Sequence, residues 1–268
     1  MGASHGVRHL AVILADGREA FAKHAAGGQR SGELAAEAAG LRWLGEAEAV
    51  PVPGVLAVDD DFLVIDLLPL GRPAPPAARE LGTMLARMHG AGAVGFGAPW
   101  PGYLAGLPLP NDTPGQAATE WAQWYGEARL VPYIGIARDN GGLPAGDARL
   151  VEEVAARVVE LAGPPEPPAR IHGDLWSGNV LWSGGRGWLI DPAAHGGHRE
   201  TDLAMLALFG APYLDEILAA YDEAAPLADG WQARVPLHQL HPLLVHACLY
   251  GAAYAPQVRE AAIAALRA

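Results

Sequence analysis

"HGDLWSGN" (His172–Asn179) and "WLIDP" (Trp188–Pro192) flank a short hairpin pattern, and their joint reading decides the fold. Asp174 and Asn179 stand five residues apart. Asp191 follows after "NVLW", a Gly-rich "SGGRG" and "WLI". Two short apolar runs around a glycine turn fold back on one another, which returns Asp191 to the loop that carries Asp174 and Asn179. Taken singly, Asp and Asn are ordinary turn residues. As a set they place one carboxylate beside a group of hard oxygen ligands.

That spacing, H-x-D-x-x-x-x-N followed by a second Asp, is the arrangement of a phosphoryl-transfer loop. Such chemistry needs a carboxylate at the acceptor hydroxyl and oxygen ligands for Mg²⁺ on the other side of the loop. Mg²⁺ takes only a few ligands from protein, and one Asn carbonyl with one Asp carboxylate supplies them. Asp174 is therefore the candidate catalytic base, and Asn179 and Asp191 are the candidate metal ligands.

Such a site also needs a cation for the nucleotide phosphates. The chain has 18 Lys and Arg residues, and Lys23 in "FAKHA" is its only lysine. A lysine ammonium is a compact charge on a flexible stem and can touch phosphates and a carboxylate together, where the planar arginine fork fits less well. Lys23 ends a strand-like run. Glu37 lies on the following helical pattern, with Glu33 one turn earlier as the competing partner.

The organisation around these residues reads β-β-α-β-β and then mainly α. "HLAVILADGREAFAKHA" gives two strands about Asp16-Gly17. "SGELAAEAAGLRWLGEA" gives a helix with Ser31 as candidate N-cap and an apolar face of Leu34, Ala38, Leu41 and Leu44. "VPVPGVLAVDDDFLVIDLLPLG" gives two more strands, and backbone groups near Asp66 and Leu68 are the candidate adenine contacts. A Pro-rich spacer near residues 69–76 separates this part, residues 1–70, from a larger helical part, residues 71–268. There "AARELGTMLARMHG" forms a helix with Leu81, Leu85 and Met88 on one face, and a Gly/Pro-rich loop runs from Ala91 to about Pro114. A helix capped by Asp147 follows further on. The fold class is thus α+β, a two-lobed, protein-kinase-like arrangement of a small β-rich lobe and a larger helical one.

Composition narrows the function classes. A net charge of −12 disfavours a nucleic-acid partner. No apolar run is long enough to span a bilayer, and no signal-peptide pattern opens the chain. Cys248 is the only cysteine, so an internal disulfide is impossible; it lies in an apolar helix and reads as a core residue. Ten histidines form no convincing metal set. Asp202 caps "DLAMLALF" or braces the catalytic loop, two compatible roles. Trp176 packs under that loop or forms one wall of an acceptor pocket, for which His195 and Arg199 are the next candidates. "GASHG" reads as a remnant Gly-rich loop or a flexible start.

"HGDLWSGN", "LIDPAAHGGHRETDLAM" and "QLHPLLVHACLYG", with "FAKH", "EAAGLRWL" and "LPNDTPGQAATEWAQWYGEARL", resemble the fructosamine kinase (ketosamine 3-kinase) family, relatives of the aminoglycoside and choline kinases. The resemblance covers nearly the whole chain. It implies ATP- and Mg²⁺-dependent phosphorylation of the 3-hydroxyl of ketoamine adducts, free or on glycated proteins, as a cytoplasmic deglycation repair. It further implies a Lys23–Glu37 ion pair, Asp174 as base, and Asn179 and Asp191 on Mg²⁺. The chain departs from the family near its start: "MGASHGVRHL" leaves little room for an earlier strand and a full Gly-rich loop, so either the start lies upstream or the ATP lid is reduced. The competing expectations are a kinase for an aminoglycoside-like amino alcohol and a nucleotide-binding protein with impaired catalysis.

Overall fold

A computed structural model describes residues 3–4, 7–25, 27, 30–111 and 120–268. The first part is a five-stranded antiparallel sheet with strand order β1-β2-β3-β5-β4. Strands β2 (Val7–Ile13) and β3 (Glu19–His24) meet at the expected turn. Gly17 takes φ +86° there, a conformation that glycine adopts without strain. A two-residue β1 (Ala3–Ser4) pairs with β2, so an earlier strand exists in short form. Most of "GASHG" lies outside the described residues. Strands β4 (Val55–Val58) and β5 (Phe62–Asp66) complete the sheet, and Lys23 sits in register between His9 and Leu63.

Helix α1 (Ser31–Gly45) covers one face of this sheet. Leu34, Ala38 and Leu41 form a small core with Leu63 and Ile65, while Leu44 reaches into the core of the second part. The helix starts where expected, with Arg30 in the N-cap position; the side chain of Ser31 lies outside the described residues. Gly40 faces Pro192 and Ala194, and an added Cβ would stand 3.1 Å from the Ala194 methyl. Glycine there lets α1 lie close against the segment that follows Asp191.

The first helix of the second part begins inside the expected spacer. Helix α2 (Pro75–Gly90) takes Pro75 and Pro76 into its first turn, where a missing N–H costs nothing. The loop after it contains a hairpin, β6 (Gly102–Leu104) and β7 (Leu107–Leu109), which contacts α1. Then come α3 (Trp121–Tyr125), a π-helical turn (Gly126–Leu130) and α4 (Val131–Asp139). Helices α5 (Ala145–Ala156) and α6 (Val158–Leu161) follow. Asp147 does not cap α5, which begins after Pro144. It lies inside the first turn and grips Arg259 through two hydrogen bonds of 2.6 and 3.0 Å.

Strand β8 (Ala169–Ile171) leads into the catalytic loop, and β9 (Val180–Ser183) and β10 (Arg186–Leu189) form the expected hairpin. Its turn residues Gly184 and Gly185 both have positive φ, as a two-residue hairpin turn with a matching twist requires. Strand β11 (His195–Gly197) pairs with β8. The chain closes with α7 (Arg199–Leu208), α8 (Leu214–Ala224), α9 (Trp231–Tyr250), a 3₁₀ turn (Gly251–Tyr254) and α10 (Ala255–Ala265).

Two cores hold this part. One joins α2, α8 and the β9–β10 hairpin through Leu81, Leu85, Met88 and Tyr221. The other joins α3, α4, α5, α9 and α10. Full burial of a Leu or Met side chain contributes about 1.5–3 kcal/mol each, so these two clusters anchor the loop that runs between them. Among the described residues, no helix is long and apolar enough to cross a membrane.

Candidate active site

The catalytic loop is held from behind by Asp202. This fully buried carboxylate accepts the His172 N–H at 2.7 Å, the Gly173 N–H at 2.9 Å and the His89 Nε2–H at 3.1 Å. Burial opposes its charge, but these donors outweigh burial and hold it below the usual carboxylate range. Of the two expected roles, Asp202 therefore braces the loop. The α7 cap is instead His198, whose Nδ1 accepts the Glu200 N–H. His172 donates from Nε2 to the Ile190 carbonyl at 2.9 Å and accepts the Asp174 N–H at Nδ1, which fixes its neutral tautomer. Gly173 has φ +80°, and a Cβ there would lie 2.3 Å from the Ala193 carbonyl. Only glycine fits between the Asp202 brace and Asp174.

On the front of the loop, Asn179 donates to the Asp174 carbonyl at 2.8 Å and to Asp174 Oδ2 at 3.0 Å. Asp174 Oδ1 and Asn179 Oδ1 are left as acceptors facing the same space. Burial pushes the Asp174 carboxyl up to about 8, against the pull of the Asn179 amide and with the charge of Asp191 adding to the rise. Asp191 itself has φ +54°, a left-handed conformation that is costly for a residue with a side chain. Its Oδ1 accepts from Lys23 at 2.8 Å.

Lys23 is nearly buried and donates to Glu37 Oε2 at 2.7 Å as well. Burial opposes the ammonium charge, but Glu37 and then Asp191 outweigh burial, so Lys23 is held charged above its ordinary range. The competing partner Glu33 turns to Arg30 at 2.9 Å. Glu37 keeps a second buried oxygen, Oε1, with no partner among the described residues.

Lys23, Glu37, Asp174, Asn179 and Asp191 line one cavity of 590 Å³, together with Trp176. The donor set fits Mg²⁺. It offers hard oxygens only, one amide and one carboxylate, with Asp191 open to the cavity at 39% side-chain exposure. Trp176 is 41% exposed, so it is not a core residue. Its indole folds over Gly178, where an added Cβ would stand 2.2 Å from the ring. The glycine of "WSGN" thus has a local purpose, to let the indole lie along the loop.

Three expectations are corrected. His195 is buried and donates from Nδ1 to the Ala193 carbonyl at 2.7 Å; it lies behind the loop, against Trp124, and does not reach the cavity. Arg199 clasps Glu166 with two hydrogen bonds of 2.7 Å and also donates to the Ala225 and Pro226 carbonyls, so it ties the start of α7 to the segments before β8 and after α8. Asp66 accepts the Gly54 N–H at 2.8 Å through its side chain, which leaves the backbone groups expected near adenine unengaged by that contact. The histidines do assemble one set, His198, Glu200 and His238, with ligand atoms within 4.8 Å of one another. Arg234 already supplies the cation there, with hydrogen bonds of 2.5 and 3.0 Å to the two Glu200 oxygens.

The sequence reading missed much of the lining. Phe209, His246, Tyr250 and Tyr254 form a continuous wall, and Tyr103 enters from the β6–β7 hairpin. The spacing of His246 and Tyr250, four residues apart on α9, was the available signal, because such residues share one helix face; Tyr254 joins them from the 3₁₀ turn.

A two-part α+β fold with a braced His-Gly-Asp loop, a buried Lys–Glu pair and a second Asp after a hairpin defines a protein-kinase-like phosphotransferase. The aminoglycoside phosphotransferase APH(4)-Ia, in a complex with ADP and hygromycin B, has the same fold: TM-score 0.67 at 17% identity, covering all of this chain and 92% of that one. The fructosamine kinase family model matches residues 4–267, and the chain belongs to that family. A crystal structure titled "putative fructosamine-3-kinase" from Thermobifida fusca superposes with TM-score 0.94 at 52% identity, covering all of this chain and 92% of that one. A "Probable ketoamine kinase" from Synechocystis is 30% identical over 264 residues, 96% of this chain and 86% of its own length.

Proposed function

We propose that this protein is an ATP- and Mg²⁺-dependent kinase that phosphorylates the 3-hydroxyl of ketosamines such as fructosamine, ribulosamine and erythrulosamine adducts, free or on glycated proteins. Its product would release the amine, a deglycation repair suited to the cytoplasm, where ATP is present. The observation that carries this reading is the convergence of Lys23, Asp174, Asn179 and Asp191 in one cavity, with the exposed Trp176 beside them.

In this reading Lys23 releases Asp191 and takes the nucleotide phosphates while Glu37 keeps hold of it. Asn179 Oδ1 and Asp191 would hold Mg²⁺, which neutralises phosphate charge when bound. Asp174 Oδ1 accepts the proton of the sugar hydroxyl as that oxygen forms its bond to the γ-phosphorus and the bond to the β-phosphate oxygen breaks. The Asn179 amide fixes the carboxylate by its other oxygen. Asp202 keeps the loop backbone in place without touching substrate. The small β-rich lobe, ending near residue 70, would carry the phosphate grip, and the helical lobe the base and the acceptor.

The test is Mg²⁺-dependent ATP consumption with ribulosamine, erythrulosamine and fructosamine adducts, set beside an aminoglycoside panel. Turnover of the ketosamines with a 3-phosphate product is expected. Turnover of the aminoglycosides alone would overturn the acceptor, and no turnover with any acceptor would overturn the enzyme.

A further inference from the structure

The cavity has a second wall that the phosphoryl-transfer groups do not use. Trp176 and Phe209 meet edge to face at 6.5 Å, and Phe209 contacts His246 at 5.2 Å. His246 in turn contacts Tyr250 at 5.6 Å and Tyr254 at 4.8 Å. These rings come from the catalytic loop, the end of α7, the last turns of α9 and the 3₁₀ turn. Trp176, Phe209 and Tyr250 are 41, 43 and 51% exposed, a contiguous set of large rings left open to one cavity. Adjoining apolar surface of this kind marks a place where a ligand is buried.

We propose that this wall is the subsite for the amine substituent of the ketosamine, and that it selects adducts of apolar, carboxylate-free amines over adducts of free α-amino acids. The proposal rests on the ketosamine reading above. In a ketosamine the amine sits on C1, two carbons from C3, whose hydroxyl must reach Asp174. The group carried by the nitrogen therefore falls on the surface next to the loop, and that surface starts at Trp176.

Its chemistry suits one kind of substituent. Among the described residues, the lining contributed by α7, α9 and the 3₁₀ turn carries no Lys, Arg, Asp or Glu. Arg30 and Lys23, the cations elsewhere in the lining, are already engaged by Glu33 and by Glu37 with Asp191. An α-carboxylate placed on this wall would lose water and meet no cation among the described residues, only neutral donors. The protonated amine fares differently, because ring faces attract a cation. His246 adds an acceptor: its Nδ1–H is spent on the Pro242 carbonyl at 2.7 Å, which leaves the Nε2 lone pair. Burial lowers the pKa of this imidazole, so it remains neutral beside a cation.

The experiment compares ribulose adducts of 2-phenylethylamine and of phenylalanine, which share sugar and ring and differ by one carboxylate. The KM of the phenylethylamine adduct should be lower by at least about fivefold, the scale of one uncompensated buried charge. Phe209→Ala should raise that KM by roughly 2- to 10-fold, with the KM for ATP as internal reference. Phe209→Arg, which supplies a cation, should narrow or reverse the preference. Equal KM values for the two adducts, or a Phe209→Ala effect of equal size on ATP and adduct, would overturn the subsite while the turnover itself upheld the kinase reading. If neither adduct is phosphorylated while another acceptor is, the ketosamine reading falls and this inference falls with it.

Discussion

The two walls of the cavity are built in opposite ways. On the polar wall the reactive groups are already engaged: Lys23 with Glu37 and Asp191, Asn179 with Asp174, and the loop backbone with Asp202. On the aromatic wall, Trp176, Phe209 and Tyr250 stay about half open and meet mainly other rings. The difference suits the tasks proposed for the two walls. Charge stabilisation requires fixed geometry in a partly desolvated place, and fixed geometry requires hydrogen bonds. Recognition of a variable substituent requires area and polarisable faces, which need no exact partner.

This contrast can be broken at several points, and the largest effect belongs to Asp174. Asp174→Asn should lower kcat by about 10²–10⁴-fold and leave nucleotide binding, followed by fluorescence titration, in place. The same change should raise the melting temperature. The folded-state pKa of this carboxyl is about 8 against an ordinary 3.8, so its ionised form is penalised in the folded protein. That penalty is absent below about pH 4 and grows as pH rises to about 8. The stability advantage of Asp174→Asn should therefore widen across that range in thermal melts. A constant difference would show that Asp174 ionises freely.

Lys23→Arg comes next, with an expected loss in kcat/KM for ATP of about 10²–10³-fold, because the buried slot between Glu37 and Asp191 admits a point charge and not a planar fork. Near wild-type turnover would show that the polar wall needs charge alone. Asp202→Asn should cost about 1–3 kcal/mol, because an amide cannot accept from both the His172 and Gly173 N–H groups. For a chain of this size that is a Tm loss of roughly 2–12 °C, and kcat should fall more than the KM for ATP rises. An unchanged Tm would show that the brace is dispensable.

On the aromatic wall the effects should be smaller and confined to one substrate. Trp176→Ala should raise the KM for a ketosamine by roughly 2- to 30-fold, the range of one cation–π contact, with ATP kinetics and Tm nearly unchanged. Trp176→Phe should recover part of it. A sharp fall in Tm would instead assign the indole to packing. The smallest effect is expected at Cys248. Its thiol is buried, lies 3.5 Å from the Tyr133 carbonyl and is pushed up to about 11 by burial. Cys248→Ser should leave activity and its response to thiol reagents unchanged. A thiol-dependent activity that vanishes in this variant would contradict the assignment.

The polar wall was far more legible in the sequence than the aromatic one, and for a physical reason. Asp174, Asn179 and Asp191 are placed by local chain geometry, a loop and one hairpin, so their spacing carries the signal. Lys23 and Glu37 follow from a strand pair and the next helix. The aromatic wall joins residues 176, 209, 246, 250 and 254, and a local rule links only 246 to 250, four apart on α9. The errors have the same origin. His195 and Arg199 lie close to the loop in sequence, and that proximity suggested a pocket role. The pairing of β11 with β8 turns His195 inward, and Glu166, 33 residues earlier, claims Arg199. The β6–β7 hairpin was read as loop because its strands have three residues each, too few to show a period.

By itself the sequence determined the fold class, the loop and hairpin that bring Asp174, Asn179 and Asp191 together, and the unique lysine beside them. These depend on turn chemistry, periodicity and short-range spacing. Only the tertiary structure decided that Lys23 binds Glu37 rather than Glu33, that Asp202 braces the loop rather than capping α7, and that four rings from the last third of the chain join Trp176 in one wall. Each of those outcomes depends on which side chains packing brings within a few ångströms, and packing is a property of the whole chain.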